Sequence, residues 1–373
     1  MSKTVRIVIA GGGTGGHVQP AVAVFQFLNQ TIDVKALWIG SHHGTEQAAA
    51  TQTGILFTPI QTGKFRRYLS FQTPLDLMRI PLGVLQALRV LRRFRPDVVL
   101  STGGFVSVPT VVAARMLRIP SITHEQTATI GLATRINARF ASVVALTFEQ
   151  SRTQIRKTNA DIVVTGNPIR ASLLGGSATA AFQQFNFTPN LPFIYVTGGA
   201  LGAHAINEAV SAALPRLLRS TQIVHQCGPE SANADYSRLL EVGLKLQSEL
   251  QNRYVVRERI GTELADIYAG ASLVVGRAGA GTVAELAALG KPSILIPLPG
   301  AGGDEQTLNA RVLADAGGSV LLPQSELTPD RLSSEIERLL QSGRLDEMAA
   351  SARQCGRTDA AERLADETLK LIQ

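Results

Sequence analysis

Short β-branched and aliphatic runs alternate along this chain with longer stretches whose apolar positions recur at helical spacing. That alternation predicts βαβ units, and therefore an α/β protein with parallel sheets carrying helices on both faces. In the first half the predicted strands are VRIVIA (5–10), KALWIG (35–40), DVVLST (97–102), PSITHE (120–125) and SVVALTF (142–148). In the second half they are FIYVTGG (193–199), QIVHQCG (222–228), RYVVRER (253–259), SLVVGRAG (272–279), KPSILIPL (291–298) and GSVLLP (318–323). Between the halves, residues 165–192 join TGNPIR, a Gly/Ser/Ala stretch and TPNLP, which reads as an interdomain connection. The expected organisation is two Rossmann-like doubly wound domains, 1–164 and 165–349, with a closing helical pattern at about 350–373 for which a return to the first domain and a place on the second are both open. Two such sheets facing each other place ligands in a central cleft, outside the carboxyl ends of their strands.

A length of 373 residues suits two domains that each bury a core. With 45% hydrophobic and 17% charged residues, the composition is globular and excludes disordered and fibrous classes. Cys227 and Cys355 stand far apart with no CxxC spacing, so a disulfide framework and a zinc site are both unsupported, and a reducing compartment is expected. The apolar run before the first glycines is too short for a signal-peptide core. No run reaches the ~18 apolar residues of a membrane span. The net charge of +7 is local: eight basic residues and one acid lie between Lys64 and Arg95, leaving 28 of each sign elsewhere.

Candidate chemistry begins where the first strand runs into GGGTGGH (11–17), followed by a helix near Pro20. Glycines allow a sharp turn and close ligand approach, and a helix N-terminus presents N–H groups to something polar or anionic. Gly11, Gly13 and Gly16 also match GxGxxG, but a dinucleotide site needs an acid at the end of the second strand. That strand ends in WIGSHHG, with Asp33 before it and Glu46 beyond it, which disfavours the dinucleotide. No Lys-Ser/Thr pair completes a P-loop.

The second half repeats the device in GGALGA (198–203) and RAGAGTVAE (277–285). Two helix N-termini can neutralise a diphosphate without a metal, and no DxD motif offers a paired-carboxylate metal site. Glu285 has two readings: the glutamate of a capping box begun by Thr282, or a carboxylate that accepts ribose hydroxyls. Spacing alone leaves both open.

Together these stretches resemble a known family. GGTGGHVQPAVAV (12–24), STGGFVS (101–107), IPSITHEQ (119–126), GNPIR (166–170), TGGALGAHAIN (197–207), YAGASLVVGRAGAGTVAELAALGKP (268–292) and DEQTLNA (304–310) stand in the order of the bacterial UDP-N-acetylglucosamine:lipid I N-acetylglucosaminyltransferases, the MurG family of GT-B fold. The resemblance covers almost the whole chain. It implies an inverting hexosyltransferase of peptidoglycan synthesis with UDP-N-acetylglucosamine as donor, an undecaprenyl-linked muramyl-peptide lipid as acceptor, and no cofactor. Carried over by position, it implies that Thr14, Gly15 and Gly16 face the donor sugar and acceptor diphosphate. His17 becomes the candidate base, Arg170 a donor-phosphate contact and Gly261 a main-chain contact to uracil. Ala280, Gly281, Thr282, Val283, Ala284 and Glu285 form the phosphate-and-ribose turn, and Gln306 meets the donor sugar. An imidazole, whose ordinary pKa is ~6.5, suits proton removal from an attacking alcohol at neutral pH. The alternative for His17 is a structural histidine that caps its loop. Glu125 is the second candidate base, or else a buried acid held by backbone N–H groups.

Two positions depart from the family pattern. Thr127 replaces the Asn after HEQ, and Ala200 replaces the Ser of GGSxGA, where backbone N–H groups would have to serve the diphosphate. These keep open a related enzyme with another UDP-sugar or a lipid such as diacylglycerol. A silent nucleotide-sugar-binding protein is the remaining alternative, weakened by His17, Arg170, Glu285 and Gln306. The basic segment 64–95 carries Leu82, Val84, Leu85, Leu88 and Leu91 at helical spacing among arginines. It reads as a core-facing amphipathic helix, or as a patch for an anionic membrane surface. No motif supports nucleic acid as partner. The expected location is peripheral, on the cytoplasmic face of the cell membrane.

Overall fold

The computed structural model describes residues 4–42, 44–63, 73–156, 158–300 and 303–372. The chain forms two compact units, one of Met1–Arg170 with Thr358–Gln373 and the other of Ala171–Arg357. The first division thus follows Arg170 rather than residue 164, and the second follows Arg357 rather than residue 349.

In the first unit, β1 (Val5–Gly11), β2 (Val34–Gly40), β3 (Leu56–Pro59), β4 (Val98–Gly103), β5 (Ser121–Glu125), β6 (Val143–Leu146) and β7 (Asp161–Val164) form one sheet. Their order is β3-β2-β1-β4-β5-β6-β7, with every pairing parallel. The strands read as continuous apolar runs because both faces are covered. Ile7 and Ile9 pack on one side with Val18, Ala21 and Leu28 of the helix Gly15–Thr31. Val8 and Ala10, pointing the other way, meet Ala87 and Leu91 of the helix Thr73–Phe94. Strands β3 and β7 were not expected from the sequence. Each is a four-residue edge strand with no buried position, and the Pro59 that ends β3 is a residue that sheets accept only at edges or strand ends. The closing helix Ala360–Lys370 returns to this unit and buries Leu364 and Ala365 in the core around Ile7 and Leu28.

In the second unit, β8 (Phe193–Thr197), β9 (Gln222–Gln226), β10 (Tyr254–Arg257), β11 (Leu273–Gly276), β12 (Ser293–Leu295) and β13 (Ser319–Leu321) pair in parallel in the order β10-β9-β8-β11-β12-β13. Phe193 and Tyr195 face one layer of core, Ile194 and Val196 the other. The helix Leu345–Cys355 stays here, with Ala352 packed in the core that holds Leu286 and Ala287. Strand order reverses between β1 and β4 in one sheet and between β8 and β11 in the other, where doubly wound sheets open a crevice for ligand. All three glycine-rich turns leave strands that flank these points.

Candidate active site

The turn after β1 is held from below. Trp38, fully buried, donates its indole N–H to the Gly11 carbonyl at 2.9 Å. Glu46, also fully buried, accepts the Gly13 N–H through Oε2 at 3.1 Å, and the Ser41 N–H and hydroxyl through Oε1 at 2.8 and 2.6 Å. A carboxylate therefore occupies the underside of a turn that a dinucleotide pyrophosphate would need. On the open side, Thr14, Gly15 and Gly16 are exposed, and the helix begins at Gly15 with no side-chain cap and no acid in its first turn. Its N-terminus is thereby suited to a polar or anionic group.

His17 lies in that first turn, against the turn after β4. Its Nδ1 is 3.0 Å from the Thr102 carbonyl and 2.9 Å from Gln126 Oε1. Both partners are acceptors, so Nδ1 carries the proton and Nε2 keeps the lone pair. The approach is close enough to require glycine. Gly104 has φ of +77°, and a Cβ there would sit 2.4 Å from the Gly12 carbonyl oxygen and 3.2 Å from His17 Cδ2.

Glu125 ends β5 and is buried, with Oε2 accepting the Gly131 N–H at 2.9 Å and Oε1 accepting the Thr127 N–H at 3.2 Å and its hydroxyl at 2.9 Å. The structure thus favours the reading of Glu125 as a buried loop acid. The single Thr127 hydroxyl proton is shared between that carboxylate and the Thr129 carbonyl at 2.5 Å, which gives it a local use. Arg170, where the first unit's long N-terminal segment ends, is half-buried and has a buried Nε with no hydrogen-bond partner among the described residues.

In the second unit, the turn after β8 carries Ala200 exposed at its tip, and Gly199, at φ of +83°, donates its N–H to Thr197 Oγ1 at 3.1 Å. The turn after β11 leads into a helix Ala280–Leu289 whose N-cap is Gly279, without a side-chain cap. Thr282 therefore sits inside the helix, and the capping-box reading of Glu285 falls: the N-cap lies three residues earlier. Glu285 Oε2 instead accepts the Tyr268 hydroxyl at 2.9 Å, and Tyr268 stacks edge-on against Tyr195. Ala280, Gly281, Thr282 and Ala284 are half-buried around it, while Val283 points into the core. Arg277, the one guanidinium in this turn, is spent on structure, donating to the Ile296 and Pro297 carbonyls at 3.1 Å each and to Gln324 Oε1 at 2.6 Å.

Gly261 is exposed and donates its N–H to Glu263 Oε2 at 3.0 Å. Gln306, in the first turn of the helix Glu305–Asp315, accepts the Leu298 N–H through Oε1 at 3.0 Å, which turns its Nε2 donors away from that contact. Four residues here escaped the sequence reading: Glu46, His124, Gln126 and Tyr268. His124 and Gln126 flank Glu125 in a stretch already singled out, but their roles depend on which strand lies beside β5. Among the described residues no group of three His, Cys, Asp or Glu side chains is placed to hold a metal ion.

A doubly wound parallel sheet in each unit, with glycine turns at the switch points, is the architecture of the GT-B fold. The chain matches the glycosyltransferase family 28 N-terminal domain over residues 7–146 and the family 28 C-terminal domain over residues 193–364. A curated relative from Treponema denticola, named UDP-N-acetylglucosamine–N-acetylmuramyl-(pentapeptide) pyrophosphoryl-undecaprenol N-acetylglucosamine transferase, is 36% identical and aligned over 95% of each chain. One of the same name from Listeria monocytogenes is 35% identical over 99% of this chain and all of its own. The crystal structure of Acinetobacter baumannii MurG superposes with a TM-score of 0.75 at 29% identity, covering 98% of this chain and 99% of that one. The chain belongs to glycosyltransferase family 28 and, within it, to the MurG family. UDP-N-acetylglucosamine 2-epimerase from Neisseria meningitidis, 15% identical with a TM-score of 0.66, shares the fold.

Proposed function

We propose that this chain moves N-acetylglucosamine from UDP-N-acetylglucosamine to the C4 hydroxyl of the muramyl sugar of lipid I, with inversion, forming lipid II for peptidoglycan. The observation that carries the mechanism is His17, whose Nδ1–H is held by two acceptors so that Nε2 is left as a base at a helix N-terminus. Nε2 takes the acceptor hydroxyl's proton as its oxygen attacks C1 of the sugar. UDP leaves from the opposite side. Charge developing on the diphosphate is met by the turns at Ala200 and at Ala280–Gly281 and by Arg170, whose Nε has no hydrogen-bond partner among the described residues.

Thr14, Gly15 and Gly16 form the loop that the sugar and acceptor diphosphate approach. Glu285, which accepts the Tyr268 hydroxyl, holds the ribose hydroxyls, Thr282, Val283 and Ala284 set its helix turn, Gly261 reads the uracil through its main chain, and Gln306 donates to the sugar hydroxyls. Glu125, with both oxygens already bonded, is the weaker base. Diacylglycerol as acceptor gains no support from relatives named for an undecaprenol substrate.

No helix among the described residues is long and apolar enough to cross a membrane. The lipid acceptor is reached instead from the cytoplasmic face, by peripheral contact of the basic segment with anionic lipid. Lys64, Arg66 and Arg67 of that segment lie outside the described residues.

The test is a donor–acceptor panel. UDP release is expected from UDP-N-acetylglucosamine only with lipid I or an analogue present; turnover with UDP-glucose and diacylglycerol, and none with the first pair, would overturn the assignment. His17→Ala should lower kcat by about 10²–10⁴, whereas near-normal turnover would return the base role to Glu125.

A further inference from the structure

We propose that Gln126 and His124 are positioning residues for the transfer, forming a hydrogen-bonded relay from His17 Nδ1 to the Gly166 carbonyl that holds His17 in the tautomer with Nε2 basic. The inference rests on His17 as the base and adds what keeps it one.

The direction of every bond in the relay follows from its ends. Gln126 Nε2 lies 2.7 Å from the Thr102 carbonyl oxygen, which can only accept. A flipped amide would set two oxygens against each other at that distance, so the amide nitrogen faces Thr102 and Oε1 faces His17. The second hydrogen on Nε2 faces His124, whose Nδ1 at 3.1 Å is nearer than its main-chain carbonyl at 3.3 Å. At the far end, His124 Nε2 is 2.9 Å from the Gly166 carbonyl, again an obligate acceptor, so this nitrogen carries the ring proton and Nδ1 is left to accept from Gln126.

The relay is consistent only with a neutral His124. Burial lowers its pKa to about 4, with the nearby His17 acting in the same direction, and it remains uncharged at neutral pH. The neighbouring carboxylates are engaged elsewhere, Glu125 on Gly131 and Thr127, and Glu46 on Gly13 and Ser41. If His17 took the other tautomer, its bare Nδ1 would face the lone pairs of both Thr102 O and Gln126 Oε1. The relay disfavours that form, and with it a donor N–H pointing at the acceptor alcohol where a base is needed.

Several measurements test this. In protein labelled with 15N-histidine, with His17 assigned by comparison with His17→Gln, the long-range 1H–15N pattern should report the Nδ1–H tautomer; an Nε2–H tautomer would overturn the relay without any relay variant having to fold. Gln126→Leu should lower kcat by about 10–100-fold, by analogy with the loss of an oriented catalytic hydrogen bond, with the KM for UDP-N-acetylglucosamine within about twofold. The double variant His17→Ala/Gln126→Leu should lose no more than His17→Ala alone. If His17→Ala is inactive but Gln126→Leu keeps full kcat, the relay fails and the base stands; if His17→Ala itself turns over normally, the base reading fails.

Discussion

Three glutamates stand near glycine-rich turns or strand ends, and their partners divide their roles. Glu46 reaches back under the first turn and satisfies Gly13 and Ser41, Glu125 ties the loop after β5, and Glu285 accepts the Tyr268 hydroxyl. Replacing Glu46 by Ala would leave the buried N–H groups of Gly13 and Ser41 unpaired, at a cost of about 1–3 kcal/mol. The expected result is a lower denaturation midpoint together with a raised KM for the lipid acceptor, because the turn that loses its support carries Thr14 and leads to His17. An unchanged midpoint would show that the turn holds itself. Nothing in the spacing of Glu46 signals this role, since its partners come from the ends of β1 and β2.

At the scale of elements, the helix Thr73–Phe94 shows how one apolar pattern splits in two. Ala87, Leu88, Leu91 and Phe94 are buried against the first sheet, whereas Leu82 and Leu85 are 47% and 57% exposed. With exposed Arg89, Arg92 and Arg93 they form one outward stripe at helical spacing. The core-facing reading therefore applies to one face, and the opposite face is the one that the proposed membrane contact would use. At about 1 kcal/mol per basic residue near an anionic surface, changing Arg89, Arg92 and Arg93 to Ser should weaken binding to vesicles rich in anionic lipid by about 100-fold. Cosedimentation that is unchanged would leave only the core-facing role. The helix Ala280–Leu289 carries a related lesson. Thr282-Val-Ala-Glu285 fits a capping box, yet the helix starts at Gly279, because a glycine ending the turn after β11 also serves as N-cap.

For the whole molecule, each unit contains a buried neutral histidine. His124 in the first has its pKa lowered to about 4 and His225 in the second to about 3, in both cases chiefly by burial. In an unfolded chain a histidine titrates near 6.5. Below that pH the unfolded state binds protons that the folded state does not, so stability is fully present above about 6.5 and is lost as pH falls toward 4 for His124 and 3 for His225. At pH 5 each should cost about 2 kcal/mol relative to neutral pH. Scanning calorimetry at pH 7 and pH 5 should show the drop in Tm, and His225→Gln, which cannot titrate, should show a smaller one for the second unit. An equal drop would assign the acid sensitivity elsewhere.

How much was legible in the sequence follows from where each feature gets its energy. Apolar runs such as VRIVIA and FIYVT show the central strands because parallel sheets bury both faces, while β3 and β7, half-buried at the edges, leave no comparable run. The glycine turns, the absence of a ribose acid after the second strand and the order of the family motifs were likewise readable, since they depend on residue type along the chain. The tautomer of His17, the engagement of Glu125 and the return of the closing helix to the first unit were decided only by tertiary structure. Each depends on which strand or helix lies beside another, as when Thr102 and Gln126 meet His17 from the ends of adjacent strands β4 and β5, and no local spacing encodes such a neighbour.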